Sequence, residues 1–211
     1  AGAASVLLVA PLLVGGGLCL LDWLPGRIKC VLMLVAVALG GAWIVRDIEG
    51  LPRLFGALLV AGGLVVAFAG LYRSDARRGF YPMMAILLLS IASLLRSTTS
   101  LEFFFHWEII TLSSYFLIAL RPGAHPYVLQ FLLFSLVSAF SLLAGFGIAA
   151  TANGTTALAA FATAGPDAAP AFAFLAIGFL IKAGAVGVHV WLPGAYAEAD
   201  DDLSAMLSAV I

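Results

Sequence analysis

The chain has 211 residues, of which 64% are hydrophobic and only 10% charged, and its net charge is −1. At a mean hydropathy of +1.14 it carries too little charge to cover the surface of a soluble domain, and its near-neutrality argues against a nucleic-acid or polybasic surface role. Apolar runs of about 18 to 20 residues, the length that crosses a bilayer core, recur along the whole chain. The fold expected is therefore all-α: a polytopic transmembrane helical bundle forming a single membrane domain over 1–211.

Seven runs are read in chain order, at Ala3–Leu21, Ile28–Val45, Leu54–Tyr72, Phe80–Leu95, Leu101–Leu120, Tyr127–Ala150 and Ala171–Leu192. Charge, proline and glycine separate them: "DWLPGRIK", "RDIEGLPR", "YRSDARRGFYP", "RSTTS", "RPGAHP" and "EADDD". The segment "TANGTTALAAFATAGPDAAP" is small and polar enough for a loop outside the membrane, with a short surface helix. No basic region precedes the first run, so a cleaved leader is not evident. An eighth run begins near Leu203 and the chain stops inside it at Ile211, so the expectation is an N-terminal portion of a longer protein with about seven to eight spans here.

Loops after the first, third and fifth runs hold Arg27, Lys29, Arg73, Arg77, Arg78 and Arg121, whereas those after the second, fourth and sixth hold Arg46, Arg53 and Arg96. The positive-inside rule then makes the first set cytoplasmic and puts the N-terminus outside. Cys19 and Cys30 have no metal-type spacing and are expected to be packing residues.

Against this pattern Lys182 stands about eleven residues into the seventh run and Glu108 about seven into the fifth. A charge at such depth costs on the order of 2.5–3.5 kcal/mol by insertion scales. Two readings are open: a structural ion pair between helices, or a proton-handling site in which a desolvated lysine loses and regains a proton under the influence of a nearby acid. His189, seven residues after Lys182, falls on nearly the same face of the seventh run, and suits either a relay or a hydrogen bond to a neighbouring helix. His106 and Glu102 share a face of the fifth run roughly opposite Glu108. Glu102 suits an interfacial position, and His106 an accessory proton site or an interhelix hydrogen bond. Gly184 and Gly187, with Pro193 and Gly194 after them, are the pattern of a broken membrane helix or of close helix packing. Thr111, Ser113 and Ser114 either line a wet path or bond back to their own backbone. No phosphate-binding loop, dinucleotide fingerprint, metal-ligand cluster or haem-type histidine pair is found, so no cofactor is expected in this chain. The acids Glu198, Asp200, Asp201 and Asp202 read as a solvated loop.

Two stretches, "FFFHWEIITLSSYFLIA" and "IKAGAVGVHVWLPGAYAEADDDLSAMLSAV", resemble the proton-translocating antiporter-like membrane subunits. These are the subunits of respiratory complex I, the Mrp cation/proton antiporters, and the large membrane subunits of hydrogenase-4 and formate hydrogenlyase. The family's aromatic run ending in Trp-Glu is matched by Trp107-Glu108, and "TLSSY" looks most like the hydrogenase-4 branch. Its Lys, broken stretch and His-x-Trp-Leu-Pro are matched by Lys182, His189, Trp191, Leu192 and Pro193. Gly194 and Tyr196 stand where the family has an acid and a histidine, Gly187 where it has a proline, and Asp200 to Asp202 where it has Pro-Ser-His.

The resemblance implies an antiporter-like fold with a discontinuous seventh helix. It also implies proton transfer through Glu108, Lys182 and His189, with His106, Glu102 and Tyr196 as accessory candidates. Implied partners are other integral membrane subunits of a redox complex, membrane lipid, and protons or sodium, in the cell inner membrane or an equivalent energy-transducing membrane. An Mrp-type sodium/proton antiporter subunit and a non-transporting scaffold subunit are the alternatives.

Overall fold

Proline marks where the helices start. In five helices a proline stands within the first three residues: Pro52, Pro82, Pro126, Pro170 and Pro193. The missing N–H costs nothing there, because the first turn has no intrahelical acceptor for it. The computed structural model describes residues 2–46, 48–72, 77–120, 125–162, 165, 168–198 and 203–205.

The helices are α1 (Gly2–Leu20), α2 (Gly26–Val45), α3 (Gly50–Ala69), α4 (Phe80–Arg96), α5 (Ser100–Ala119), α6 (His125–Asn153), α7 (Ala168–Lys182) and α8 (Trp191–Glu198). Each of the first six expected runs coincides with one helix. The loop before α7 holds the expected short helix as a 3-10 turn, Leu158–Ala162. The seventh run is divided between α7 and α8. By length and composition Gly26–Val45, Gly50–Tyr72 and Pro126–Asn153 are each sufficient to cross a membrane, while Phe80–Arg96 and Ala168–Lys182 are shorter apolar helices. Arg73, Arg121 and Asp200 to Asp202 lie outside the described residues, as does most of the expected eighth run.

The loops sort to two ends. At one end the Asp22 carboxylate accepts from the Gly79 N–H at 2.9 Å, joining the connection after α1 to the one before α4. At the other end Arg96 donates to the Ile44 carbonyl at 3.3 Å, joining the end of α4 to the end of α2. At that same end the Ser100 N–H donates to the Thr156 carbonyl at 2.8 Å and the Leu158 N–H to the Thr98 carbonyl at 3.0 Å. Helices that alternate up and down give this sorting of odd and even loops.

α4 sits at the centre, packed against α1, α2, α3 and α5. Every residue from Phe80 to Ser93 on it is buried except Met83. A helix apolar all round needs neighbours all round, and "FYPMMAILLLSIASLL" is such a sequence. Cys30 is buried in the core beside α4, as a packing residue should be; Cys19 is exposed on α1, so that expectation fails for it.

α6 and α7 approach closely because α7 has glycine at the contact. The Ser138 hydroxyl donates to the Gly178 carbonyl at 2.8 Å. A Cβ on Gly178 would lie 2.6 Å from Leu142 Cγ and 3.0 Å from the Ser138 carbonyl oxygen. Gly178→Val is therefore expected to destabilise by about 1–3 kcal/mol through overpacking, read as a lowered unfolding midpoint in detergent. An unchanged midpoint would show that the seam tolerates separation.

Candidate functional site

α5 starts at a capping box. The Thr99 hydroxyl accepts from the Glu102 N–H at 3.2 Å, and the Glu102 carboxylate accepts from the Thr99 N–H at 3.3 Å and the Thr98 N–H at 2.9 Å. This places Glu102 at the helix end as a cap, about 9 Å along the axis from Glu108. From that start, Glu108 and Thr111 fall three residues apart on one face. The Thr111 hydroxyl donates to the Trp107 carbonyl at 3.1 Å and Ser113 donates to the Ile109 carbonyl at 2.7 Å. Both thus bond back to their own helix.

On α6 the buried residues Val128, Phe131, Ser135, Ser138 and Leu142 form a stripe at helical spacing. The Ser138–Gly178 contact sets the height of α7 against that stripe. One turn beyond Gly178 comes Lys182, only 5% exposed. Its Nζ donates to Thr111 Oγ1 at 2.9 Å and to Ser135 Oγ at 3.3 Å, and lies 4.8 Å from the centre of the Phe131 ring. Three helices therefore meet at one amine. Hydroxyl acceptors suit it in either state: an ammonium has three donors, and a neutral amine still has two. The position at a helix C-terminus favours the positive charge, and the ring face adds a cation–π contact.

Glu108 is half-buried, and its Oε1 is enclosed without a hydrogen-bond partner. It makes no direct ion pair with Lys182, whose amine is bonded to Thr111 and Ser135 instead. Thr111, which accepts from the Lys182 amine, lies one turn from Glu108 on the same face of α5. The seam is walled by aromatic rings, Phe103 against Trp107 at 5.7 Å, Trp107 against Phe179 at 5.5 Å and Phe103 against Phe146 at 5.5 Å.

α7 ends at the lysine for a local reason. Gly184 has φ +65, the Ala185 N–H donates to the Leu180 carbonyl at 2.9 Å, and the Gly184 N–H donates to the Ile181 carbonyl at 3.1 Å. These are the two bonds of a Schellman cap with glycine in the left-handed position. The Trp191 indole N–H also donates to the Ile181 carbonyl, at 3.0 Å, and its ring packs on Phe131 at 5.3 Å. The start of α8 is thereby fastened beside the lysine. Ala183–Val190 between the two helices is irregular, with Gly187 at φ +98.

That break corrects the placement of His189. A shared helical face with Lys182 requires an unbroken helix, and the cap at Gly184 removes it. His189 is exposed, and its Nδ1 accepts from the Gly187 N–H at 3.2 Å. His106 is 3% exposed and lies on the stripe of Ile110, Ser113 and Leu117, away from Glu108. Its Nδ1 has no hydrogen-bond partner, so the expected interhelix bond is not made there. Tyr196 packs at the edge of the core, and its carbonyl accepts from the Ser204 hydroxyl at 3.0 Å. The Tyr127 ring occupies the space where a side chain on residue 194 would project, which is the steric reason for Gly194 in place of an acid.

Two contacts of the lysine, Ser135 and Phe131, were not singled out from sequence. Ser135 and Phe131 are four apart on α6, a spacing that signals a common face but not what it faces. Trp191 was noted only as part of a motif, whereas it ties the two half-helices together.

Set beside known proteins, the chain is 30% identical over 171 residues to an uncharacterized protein of Mycobacterium tuberculosis, covering 76% of this chain and 27% of that one. It is 26% identical over 216 residues to NADH-quinone oxidoreductase subunit N of Pelobacter propionicus, covering 99% and 44%. To hydrogenase-4 component B of Escherichia coli it is 33% identical over 144 residues, covering 66% and 21%. The chain thus spans less than half the length of these relatives. The fold is similar to that of a chain in respiratory complex I from Thermus thermophilus, with a TM-score of 0.76 at 22% identity over 97% of this chain and 52% of that one. It is also similar to a chain of the Mrp complex from Dietzia, with a TM-score of 0.77 at 20% identity over 99% and 46%. Residues 97–211, which carry Glu108, Lys182 and the broken helix, match the family model described as NADH:quinone oxidoreductase/Mrp antiporter, TM, and the chain belongs to that family of antiporter-like membrane subunits.

Proposed function

We propose that this chain moves protons as part of an antiporter-like subunit in a multisubunit membrane redox complex of the bacterial inner membrane, with Lys182 as the proton carrier. One observation carries the reading: the buried amine is held by neutral hydroxyls rather than paired with a carboxylate. A paired lysine is locked in its charged form, whereas this one has partners for both states. Glu108 stands on the facing helix with an oxygen that no protein group satisfies. Its charge, arriving or leaving, changes the affinity of Lys182 for a proton, as linkage between two interacting sites requires.

The helix breaks directly after Lys182, and His189 lies along the irregular stretch Ala183–Val190 toward the exposed side. The chain carries no redox chemistry in this reading, and partner subunits supply the driving reaction.

Glu108→Gln tests it. The variant keeps size and hydrogen bonding but loses the charge, and proton translocation in vesicles of the reconstituted complex is expected to fall at least tenfold. Pumping at the original rate, with the complex assembled, would remove Glu108 from the mechanism and leave a scaffold role.

A further inference from the structure

We propose that Trp191 is the positioning residue of the lysine site, holding Lys182 at its backbone and at its amine so that α8 and the amine shift together. The inference rests on the reading of Lys182 as the proton carrier. Trp191 is buried at the start of α8. Its indole N–H donates to the Ile181 carbonyl at 3.0 Å, and that carbonyl belongs to the peptide bond that joins Lys182 to its helix. Its ring packs on Phe131 at 5.3 Å, and the Phe131 ring lies 4.8 Å from the lysine Nζ. One side chain thus bears on both ends of Lys182.

The backbone between the half-helices is irregular, with Gly184 at φ +65 and Gly187 at φ +98, so α7 does not by itself fix where α8 lies. Nor does the end of α7 need the indole. The Ile181 carbonyl also accepts from the Gly184 N–H at 3.1 Å, and the cap stands without Trp191. What the second bond adds is placement. The amine donates to Thr111 at 2.9 Å and to Ser135 at 3.3 Å, and the longer of these is already beyond the usual range. A small displacement of the backbone or of the Phe131 ring therefore breaks the set, and a misplacement of about 1 Å can lower a rate about a hundredfold. On α5, Glu108 stands one turn from Thr111, while His106 lies on the opposite stripe. The titratable residues of α6 and α8, His125, Tyr127, Tyr196 and Glu198, stand a turn or more from Phe131 and Trp191. The pH profile of translocation then reports on Lys182 together with Glu108.

The test uses the assembled membrane complex in vesicles, with proton translocation measured across pH. Trp191→Leu removes both contacts. It is expected to lower the rate at least tenfold and to move the midpoint of the profile by about half a unit or more, the size of one cation–π contact. Trp191→Phe keeps a ring against Phe131 and is expected to bring the midpoint at least halfway back. Phe131→Leu keeps the indole bond and is expected to move the midpoint in the same direction as Trp191→Leu. An electron cryomicroscopy map of the Trp191→Leu complex is expected to show the amine no longer bonded to both Thr111 and Ser135. A rate lowered equally at every pH, with the amine still on both hydroxyls, would overturn the proposal and leave Trp191 a packing residue. Should Trp191→Leu fail to assemble, unchanged profiles in Trp191→Phe and Phe131→Leu would overturn it. Translocation retained in Lys182→Ala would end the proton-carrier reading instead, and the map would still decide whether Trp191 sets the lysine.

Discussion

Lys182→Ala is expected to lower proton translocation at least a hundredfold while the complex still assembles. Magnitudes separate these two outcomes. Removing the amine leaves Thr111 satisfied by its bond to the Trp107 carbonyl, and strands at most the Ser135 hydroxyl, at about 1–3 kcal/mol. Removing a buried charge returns a desolvation penalty of several kcal/mol. Stability should therefore stay level or rise, so lost pumping would not reflect misfolding. Lys182→Arg sharpens the result: it preserves the charge but does not deprotonate at any accessible pH, so it should be as inactive as alanine. Translocation retained in Lys182→Ala would end the transport reading for this site.

Asp22→Ala should cost the most stability of any single change here. Lys29 is 3% exposed, and its Nζ donates to Asp22 Oδ1 at 2.9 Å and to the Asp22 carbonyl at 3.2 Å. The other carboxylate oxygen holds the Gly79 N–H. Alanine takes the Asp22 ion pair from a buried ammonium and the Gly79 tie from the end of the bundle. The cost of breaking a buried pair on one side is about 3–5 kcal/mol, a drop on the order of 10 °C in the unfolding midpoint of a chain this size. Replacing both partners, Asp22→Ala with Lys29→Met, should recover much of the loss, because much of the penalty comes from keeping the ammonium buried after its ion pair is broken. A midpoint within a degree of the parent in Asp22→Ala would show that Lys29 reaches water or another anion.

The two pairs of charges were unequally visible in the sequence. Lys182 and Glu108 stood out because each interrupts an apolar run that has no other use for a charge. Lys29 did not: it follows Arg27 beside a proline, where a lysine is ordinarily solvated, and only the fold closes α4 over it. His189 shows the converse error. Its seven-residue spacing from Lys182 describes a common face only on a continuous helix, and Gly184 and Gly187, both at positive φ, interrupt that helix between them.

By itself, the sequence determined what depends on local chemistry and composition: the helices, since backbone groups in lipid must be satisfied within each segment; their starts, through first-turn prolines and the Thr99–Glu102 cap; and the end of α7, through the left-handed glycine after Lys182. The tertiary structure alone decided which residues meet. That Lys182 rests on Thr111 and Ser135 rather than on Glu108 depends on the depth of α7 against α6, set by the missing side chain at Gly178. Such a contact joins residues 71 and 47 positions apart, and helical periodicity says which way a side chain points but not what stands opposite it.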